Sequence, residues 1–155
     1  MPIDNDFFAR LDSAAQRRLY SHWCEKAKGR QLPGREDLDP AALKDLSPWI
    51  GEIEVTRAES RLQFRYCRAG KAIVKARRAD PSGKSFEEVH PASELAMLRV
   101  THIQVVAKKR PALTDVSETA PSGALLEDER LILPLATDGE LVDGLLYLAD
   151  YDGGE

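Results

Sequence analysis

Arg99 and His102 are the two polar residues in this sequence whose placement is most suggestive of binding chemistry. They lie in Ala92–Arg110, the longest run without Gly or Pro in the second half of the chain, which predicts one helix. Its apolar arc contains Leu95, Leu98, Val100, Ile103, Val105 and Val106. Arg99 and His102 fall inside that arc. A polar group on a core face must find a partner or meet a desolvation penalty.

Two explanations account for these polar residues. In the first, His102 is a core histidine hydrogen-bonded to a backbone carbonyl, and Arg99 packs its stem while its head reaches water. In the second, both line a pocket that suits an anionic or carboxylate-bearing small molecule, with the guanidinium of Arg99 as a forked donor. The sequence leaves both open.

Motifs of catalysis and metal binding are missing from the sequence. It has no G-x-S-x-G, no H-E-x-x-H and no Gly-rich phosphate loop. His22, His90 and His102 do not have metal-ligand spacing. Cys24 and Cys67 form no C-x-x-C and are expected to be reduced thiols. We therefore predict a protein that is not an enzyme and holds no metal.

The composition is that of one ordinary globular domain. With 155 residues, 43% hydrophobic and 31% charged, the chain can bury a core without disulfides or metal. The net charge of −4, with basic residues scattered among acids, argues against nucleic acid as a partner. The first residues do not resemble a signal peptide, and no run approaches the ~20 apolar residues of a membrane span. We expect a cytoplasmic protein without membrane contact.

Five predicted strands surround the long helix. They are Ile50–Arg57, Leu62–Ala69, Ala112–Glu118, Glu129–Ala136 and Leu141–Asp150. Short helices are predicted at Ala41–Leu46 and Lys71–Ala76, and after the capping-box pattern of Ser85 and Glu88. Pro134 lacks a ladder donor, which favours a bulge or an edge-facing position.

An N-terminal helix begins at the capping box formed by Ser13 and Gln16 and extends to about Lys28. Its apolar surface is large for its length, so it either packs on its own domain or joins two protomers in a homodimer. The candidate interface residues are Phe7, Phe8, Leu11, Ala15, Leu19 and Trp23. We predict a helical cap at 1–30, a main domain at 31–150 and a frayed tail at 151–155.

Several short motifs, spread over nearly the whole chain, resemble those of a small group of stand-alone bacterial PAS-like proteins. They are Trp23, Leu32-Pro33, Asp37-Leu38-Asp39-Pro40, Phe64-Arg65-Tyr66 with Gly70, Asp80-Pro81-Ser82-Gly83-Lys84-Ser85, Arg110-Pro111, and Leu133-Pro134-Leu135 with Asp138-Gly139. The resemblance implies an α+β fold: a five-stranded antiparallel sheet of order 2-1-5-4-3, with a long helix and short helices on one face. Those helices would enclose a small cavity. The family's Gly is absent from Ala76–Asp80, so the region bordering the cavity is expected to differ.

The resemblance implies sensing or dimerisation rather than catalysis. The candidate pocket is Arg99, His102, Leu95, Leu98 and Val106, with Tyr66 and Phe64 from the second strand. The leading hypothesis is a sensor or adaptor that binds a small ligand and signals to a separate partner protein. The alternatives are an interaction module with a filled core and no ligand, and a haem-binding sensor in which His102 is the ligand.

No cofactor is required by the sequence. Flavin-binding PAS proteins of the covalent type carry an Asn-Cys-Arg-like motif on a short helix before the long one. Neither Cys24 nor Cys67 stands in such a motif, so this photochemistry is not expected.

Overall fold

The computed structural model describes residues 3–151. Its helices are α1 Asn5–Arg10, α2 Ala14–Lys26, α3 Lys71–Arg77, α4 Phe86–Val89 and α5 Ala92–Lys108. Its strands are β1 Ile50–Ala58, β2 Arg61–Ala69, β3 Ala112–Thr119, β4 Leu125–Leu135 and β5 Gly144–Tyr151. The predicted long helix between a hairpin and three strands is confirmed. The tail predicted to be frayed is 151–155: Tyr151 is the last residue of β5, and residues 152–155 lie outside the described part of the chain.

The five strands form one antiparallel sheet of order β2-β1-β5-β4-β3, as predicted. Ile132 and Gly51 both pair with Tyr147, so these positions share the inner face, the one towards α5. Leu131 pairs with Leu148 on the outer face. The centre of β4 is buried at every residue, which means that both faces of the sheet are covered.

Helix α2 covers the outer face of the sheet. Its predicted capping box is confirmed, since Ser13 and Gln16 satisfy each other's backbone donors. The Gln16 side-chain amide also donates to Glu129 of β4 at 2.9 Å. The indole N–H of Trp23 donates to the carbonyl oxygen of Pro134 at 2.8 Å, and Trp23 is fully buried. The helix therefore packs against its own domain.

Pro134 occupies the edge-facing position that was one of its two predicted placements. Pairing between β3 and β4 ends at Ala112 and Ile132, so no strand lies beside Pro134 on that side. The missing N–H of the proline is therefore not needed for a ladder bond. Its carbonyl is bonded by Trp23 instead.

Three segments near the sheet differ from the prediction. Strand β5 begins at Gly144 rather than Leu141, since the side chain of Asp138 accepts the N–H groups of Glu140 and Leu141 in the turn after β4. The helix predicted at Ala41–Leu46 is wrong: this segment is a series of turns that ends in the 3-10 turn Ser47–Trp49. Short bonds such as Leu46 N–H to Leu43 O replace a helical ladder, because one isolated turn rarely repays the entropy of helix nucleation. Strand β4 begins at Leu125 rather than Glu129, since residues 125–128 pair with the end of β3.

Helices α3 and α5 each end at a residue in the left-handed backbone conformation. Arg78 ends α3 with φ 57°, and Lys109 ends α5 with φ 55°. Glycine is the usual residue at such positions. At Arg78 this is where the chain departs from the family pattern, and the residue just before it, Arg77, lies inside the fold. Among the described residues, no helix is long and apolar enough to cross a membrane.

Candidate functional site

Four charged side chains lie together between the inner face of the sheet and α3. Arg77 of α3, Glu118 of β3, and Asp128 and Arg130 of β4 are 4%, 1%, 5% and 2% exposed. Arg130 donates to both oxygens of Asp128, at 3.0 Å from Nε and 2.9 Å from Nη2. Its Nη2 also lies 3.4 Å from Glu118, which ion-pairs with Arg77. The four formal charges of this interior charge cluster cancel.

Strand alternation places these residues inside. Asp128 and Arg130 share the parity of Ile132, and Glu118 shares that of Val116. None of the four residues of the cluster was predicted to be a site residue. Asp128 lies ahead of the strand predicted from Glu129, and the burial of Arg77, Glu118 and Arg130 depends on contacts between separate elements. Charged residues at i and i+2 ahead of an apolar strand, on the parity of its core side, were the signal that could have revealed Asp128 and Arg130.

Arg130 and Tyr147 form the centre of this region. The guanidinium carbon lies 4.9 Å from the centroid of the Tyr147 ring, a cation–π contact. Burial raises the pKa of Tyr147. Gly51 is needed opposite the ring, because a Cβ there would lie 2.1 Å from it. The ring is therefore fixed between the arginine and the backbone of β1.

Little space remains beside the charge cluster. The gap there is lined by Tyr66, Ile73, Arg77, Pro81, Glu118, Arg130 and Tyr147, and it has no room for a water molecule. Ligand pockets are usually about 300–1,000 Å³, so this gap is not one. Side chains fill this part of the interior.

An aromatic and imidazole cluster adjoins the charge cluster. Its centre is the buried ring of Phe86, which lies 5.1 Å from Phe64 and 5.0 Å from Tyr66 between centroids. His90 and His102 meet the same ring edge-on, at 5.5 and 5.0 Å. Four rings, from β2, α5 and the α4–α5 junction, thus surround the ring of Phe86.

Both histidines of this cluster are neutral at pH 7. Burial, with smaller contributions from Arg77 and Arg130, lowers the pKa of His90 to about 3. Burial is also the main reason that the pKa of His102 falls to about 4. A neutral imidazole has one N–H donor and one acceptor nitrogen.

Each histidine uses one ring nitrogen. His102 Nδ1 lies 2.7 Å from the carbonyl oxygen of Leu98, so Nδ1 carries the proton and Nε2 is an acceptor. His90 Nε2 lies 2.6 Å from the hydroxyl of Tyr66. His90 Nδ1, His102 Nε2 and Arg77 Nε are buried without a hydrogen-bond partner. Such atoms in a native fold require an explanation.

Arg99 lies at the margin of the aromatic cluster. Its Nη2 donates to the carbonyl oxygen of Leu62 at 2.8 Å, and its Nη1 lies 3.4 Å from Glu87. The guanidinium carbon is 5.6 Å from the centroid of Phe64, and the side chain is 11% exposed. The carbonyl oxygen of Leu62 and the carboxylate of Glu87 thus already contact the guanidinium that was predicted to donate to a ligand.

The remaining predicted pocket residues are divided between two depths. His102 lies deeper than Arg99, and both contact Phe64, the imidazole at 5.8 Å between centroids and the guanidinium carbon at 5.6 Å. Leu98 and Val106 are buried and Leu95 is partly buried, whereas Val100 is 50% exposed and lies outside the core. Tyr66 joins this group through Phe86. Ligand binding by these residues stays a prediction.

The predicted interface residues separate into two groups. Leu11, Leu19 and Trp23 are buried in the chain's own core, which corrects their placement on a surface for a second copy. Phe7, Phe8 and Ala15 are only partly buried. Phe8 borders an open groove of about 460 Å³ between α2 and the turn at residues 42–43. Homodimerisation stays a prediction.

A surface cleft of about 370 Å³ lies at the loop between α2 and β1. Its lining residues are Arg30, Gly34, Arg35, Glu36, Asp37, Glu54, Leu135, Thr137, Asp143 and Gly144. Arg30 is paired with Asp37, and Arg35 with Glu52. Partly exposed pairs of this kind contribute little energy, so the interior offers the stronger determinants of binding.

Within residues 3–151, no group of three or more His, Cys, Asp or Glu side chains is placed to hold a metal ion. The predicted alternative of haem at His102 meets a steric obstacle. Its unpartnered nitrogen lies in a fully buried ring among Phe64 and Phe86. The residues around His102 do not fit a haem.

The sheet order and the helices on its inner face define the sensor fold of PAS and LOV domains. The PAS domain family PAS_5 matches residues 11–147, and the chain belongs to this family. The match includes α2, so the family region begins ahead of the boundary predicted at residue 31.

Solved structures show the same fold at low identity. A light-oxygen-voltage domain studied with a flavin analogue has a TM-score of 0.56 and 9% identity, over 74% of this chain and 86% of its own. For the LOV protein of Rhodobacter sphaeroides the values are 0.54 and 10%, over 75% and 69%. For a PAS domain from Colwellia psychrerythraea they are 0.51 and 12%, over 70% and 91%.

At these identities the likeness shows the fold alone. The chain spans 61% of the length of a variant of RsLOV, another of these neighbours. No curated protein matches the sequence. Family and fold together support a sensor domain at a general level.

Proposed function

We propose that this chain is a PAS sensor or adaptor that takes a small ligand into its interior and signals to a separate partner protein. The observation that carries the proposal is the set of unpartnered buried polar atoms on Arg77, His90 and His102. A purely structural core has no need of them, since replacing buried ion pairs by apolar side chains is often neutral or stabilising. Perturbed titratable groups brought together in one interior are typical of functional sites.

Strand β4 offers a route for the signal. Asp128 and Arg130 face the interior, and Glu129 between them faces outward and accepts a hydrogen bond from Gln16 of α2. A rearrangement of Asp128 or Arg130 would therefore shift the adjacent Glu129, which is hydrogen-bonded to the first turn of α2. The partly buried Phe7 and Phe8 beside that helix support output through a homodimer or a partner protein.

Flavin is not part of this proposal. The gap lined by Arg77, Arg130 and Tyr147 has no room for a water molecule, far less than a flavin requires. The ligand in this proposal is smaller, and the chemistry is non-catalytic.

A second candidate function is an interaction module with a filled core. The observation in its favour is the same lack of space beside the charge cluster. Under this alternative the domain contributes only surfaces, and its interior charges serve only to hold the fold.

Removal of one interior hydroxyl separates the two candidates. The full chain is screened by thermal shift against small carboxylates, amines, phenols and heteroaromatics, and co-purified compounds are sought by native mass spectrometry. We expect a stabilising compound whose effect weakens roughly tenfold or more in Tyr66→Phe. Tyr20→Phe is the matched control, because its hydroxyl accepts a bond from Asp4 N–H on the other side of the sheet.

Two results would favour the filled-core module. One is a bare mass together with no stabilising compound in the whole panel. The other is a compound whose effect is equal in Tyr66→Phe and Tyr20→Phe, because binding would then lie outside the interior.

A further inference from the structure

We infer that Phe86 occupies the place of the ligand's ring, and that the ligand is a flat compound of one or two rings carrying a hydrogen-bond donor. The inference rests on the proposed function and names the ligand class for the same interior. It requires α4 to move outward when the compound enters.

The first argument is the shape of the space around Phe86. The Phe64 ring is stacked on it with an angle of 26° between planes, whereas His90 and His102 stand at 84° to it. Tyr66 is tilted by 33°. This arrangement forms a slot for one flat ring, with two aromatic rings roughly parallel to it and two imidazole rings perpendicular to it.

The second argument is the mismatch between that slot and a phenyl ring. His102 Nε2 is an acceptor without a donor, and His90 Nδ1 is likewise unpartnered. Phe86 cannot form a conventional hydrogen bond with either nitrogen. A ring bearing an N–H or O–H group would supply the donor that His102 lacks, and a second polar atom would serve His90.

The third argument is the weak attachment of α4. This helix has four residues and is held at its start by the capping box of Ser85 and Glu88. The chain just ahead of it is bonded to β2 through Lys84 O and Gly83 N–H, at 2.9 and 2.7 Å from Tyr66. Glu87 reaches Arg99 only at 3.4 Å. Ser85 also forms an isolated bridge with Arg65 of β2, and Glu88 lies 3.8 Å from the same arginine, so the start of α4 is fixed to β2. Beyond that point the helix is held by the buried Phe86 and the partly buried Val89, and outward movement would turn about residues 83–85.

The fourth argument is size. Apolar cavities of about 150 Å³ bind benzene in other proteins. The slot vacated by Phe86 adjoins Tyr66. The gap beside the charge cluster, which Tyr66 also lines, has no room for a water molecule and adds no space. One ring therefore fits the slot itself, and a fused second ring needs the space that opens as α4 moves outward.

The test uses Phe86→Ala in the full chain, with benzimidazole and its hydrocarbon counterpart indene as probes. Benzimidazole has an N–H donor and an acceptor nitrogen, whereas indene has neither. We expect benzimidazole to bind Phe86→Ala roughly tenfold or more tightly than indene, and to move the ¹⁵N resonance of His102 Nε2. Adding His102→Leu should remove that preference while indene binding remains.

Leu133→Ala is the matched control, because it opens a cavity on the outer face of the sheet, away from the histidines. We expect it to show no preference for benzimidazole. If Phe86→Ala does not unfold cooperatively, Phe86→Leu is judged by the same criteria. Equal binding of the two probes, or the same preference in Leu133→Ala, would overturn the inference.

The same data distinguish this inference from the proposed function. A wild-type ligand that depends on Tyr66, with no preference in Phe86→Ala, would overturn only the role of Phe86. Selective binding to Phe86→Ala, in a wild-type protein that binds nothing, would support the slot and overturn the sensor.

Discussion

His90 and His102 are neutral groups enclosed in a core, and this makes the fold sensitive to acid. The unfolded chain takes up a proton on each near pH 6.5, whereas the folded chain does so only at about 3 and about 4. Between those values the unfolded state binds more protons, so lowering the pH favours unfolding.

We therefore predict that the free energy of unfolding decreases as pH falls from 6.5 towards 4. Each histidine should contribute at most roughly 1.4 kcal/mol per pH unit, and the two together about 2.4 kcal/mol between pH 6 and 5, because the unfolded imidazoles are not yet fully protonated at pH 6. Urea unfolding at pH 7, 6 and 5 measures this. His102→Leu should remove about half of the slope. The prediction is wrong if the variant and the wild type have the same pH dependence.

A second prediction concerns the carboxylate at the centre of the charge cluster. Glu118→Gln leaves the buried Arg77 without its counter-ion, and such a loss costs about 3–5 kcal/mol. Replacing both partners, with Arg77→Met and Glu118→Leu, should restore most of the lost stability, because Arg130 keeps Asp128. Chemical denaturation of both variants gives the two values. A single variant as stable as the wild type would contradict the assigned ion pair.

At the residue scale, the sequence was sufficient to place His102 and Arg99 on the core side of α5, but not to give their partners. The carbonyl of Leu62, which binds Arg99, comes from a strand 37 residues away along the chain. The charge cluster was harder to predict, since it combines α3 with β3 and β4, and two helices separate α3 from these strands along the chain. Only the tertiary fold brings these residues together.

At the scale of elements, β4 connects the charge cluster on the inner face of the sheet with α2 on the outer face. Gln16 accepts the N–H groups of Asp12 and Ser13 with its oxygen and donates to Glu129 with its nitrogen. The start of α2 and the strand that carries the charge cluster thus share one side chain.

Gln16→Glu tests this connection. The new carboxylate can still accept the two N–H groups, but it faces Glu129 without a donor and with the same charge. We expect a loss of roughly 1–3 kcal/mol, measured by urea unfolding. Adding Glu129→Gln supplies an amide donor and should restore stability. Failure of that second change to rescue the first would show that the two residues are not coupled.

The elements themselves were largely predictable because local signals agree with the fold. The capping residues Ser13 and Ser85 and the turn residues Gly70 and Gly139 each mark a real boundary. The segment 41–46 has such a signal at Asp39 and Pro40, yet it forms only turns. Tertiary packing decides the conformation of so short a segment, whereas the apolar periodicity of a long segment such as α5 is enough to predict a helix.

For the whole molecule, we predict a homodimer formed through the surface of α1 and α2. Phe8→Glu should yield a monomer in light scattering after gel filtration, because a charge beside the groove opposes apolar contact. Met97→Glu is the control, since Met97 is 73% exposed on α5, away from that groove. Dimers that persist in Phe8→Glu, or are lost in both variants, would place the contact elsewhere. A monomeric wild type would contradict dimerisation itself.

The sheet order has a further consequence for how the protein is made. Strand β5 is the last of the five strands to be synthesised, yet it lies in the middle of the sheet and pairs with both β1 and β4. Until it leaves the ribosome, the nascent chain holds two separate hairpins whose open edges invite wrong pairing. The sheet can therefore close only after residues 144–151 have left the ribosome.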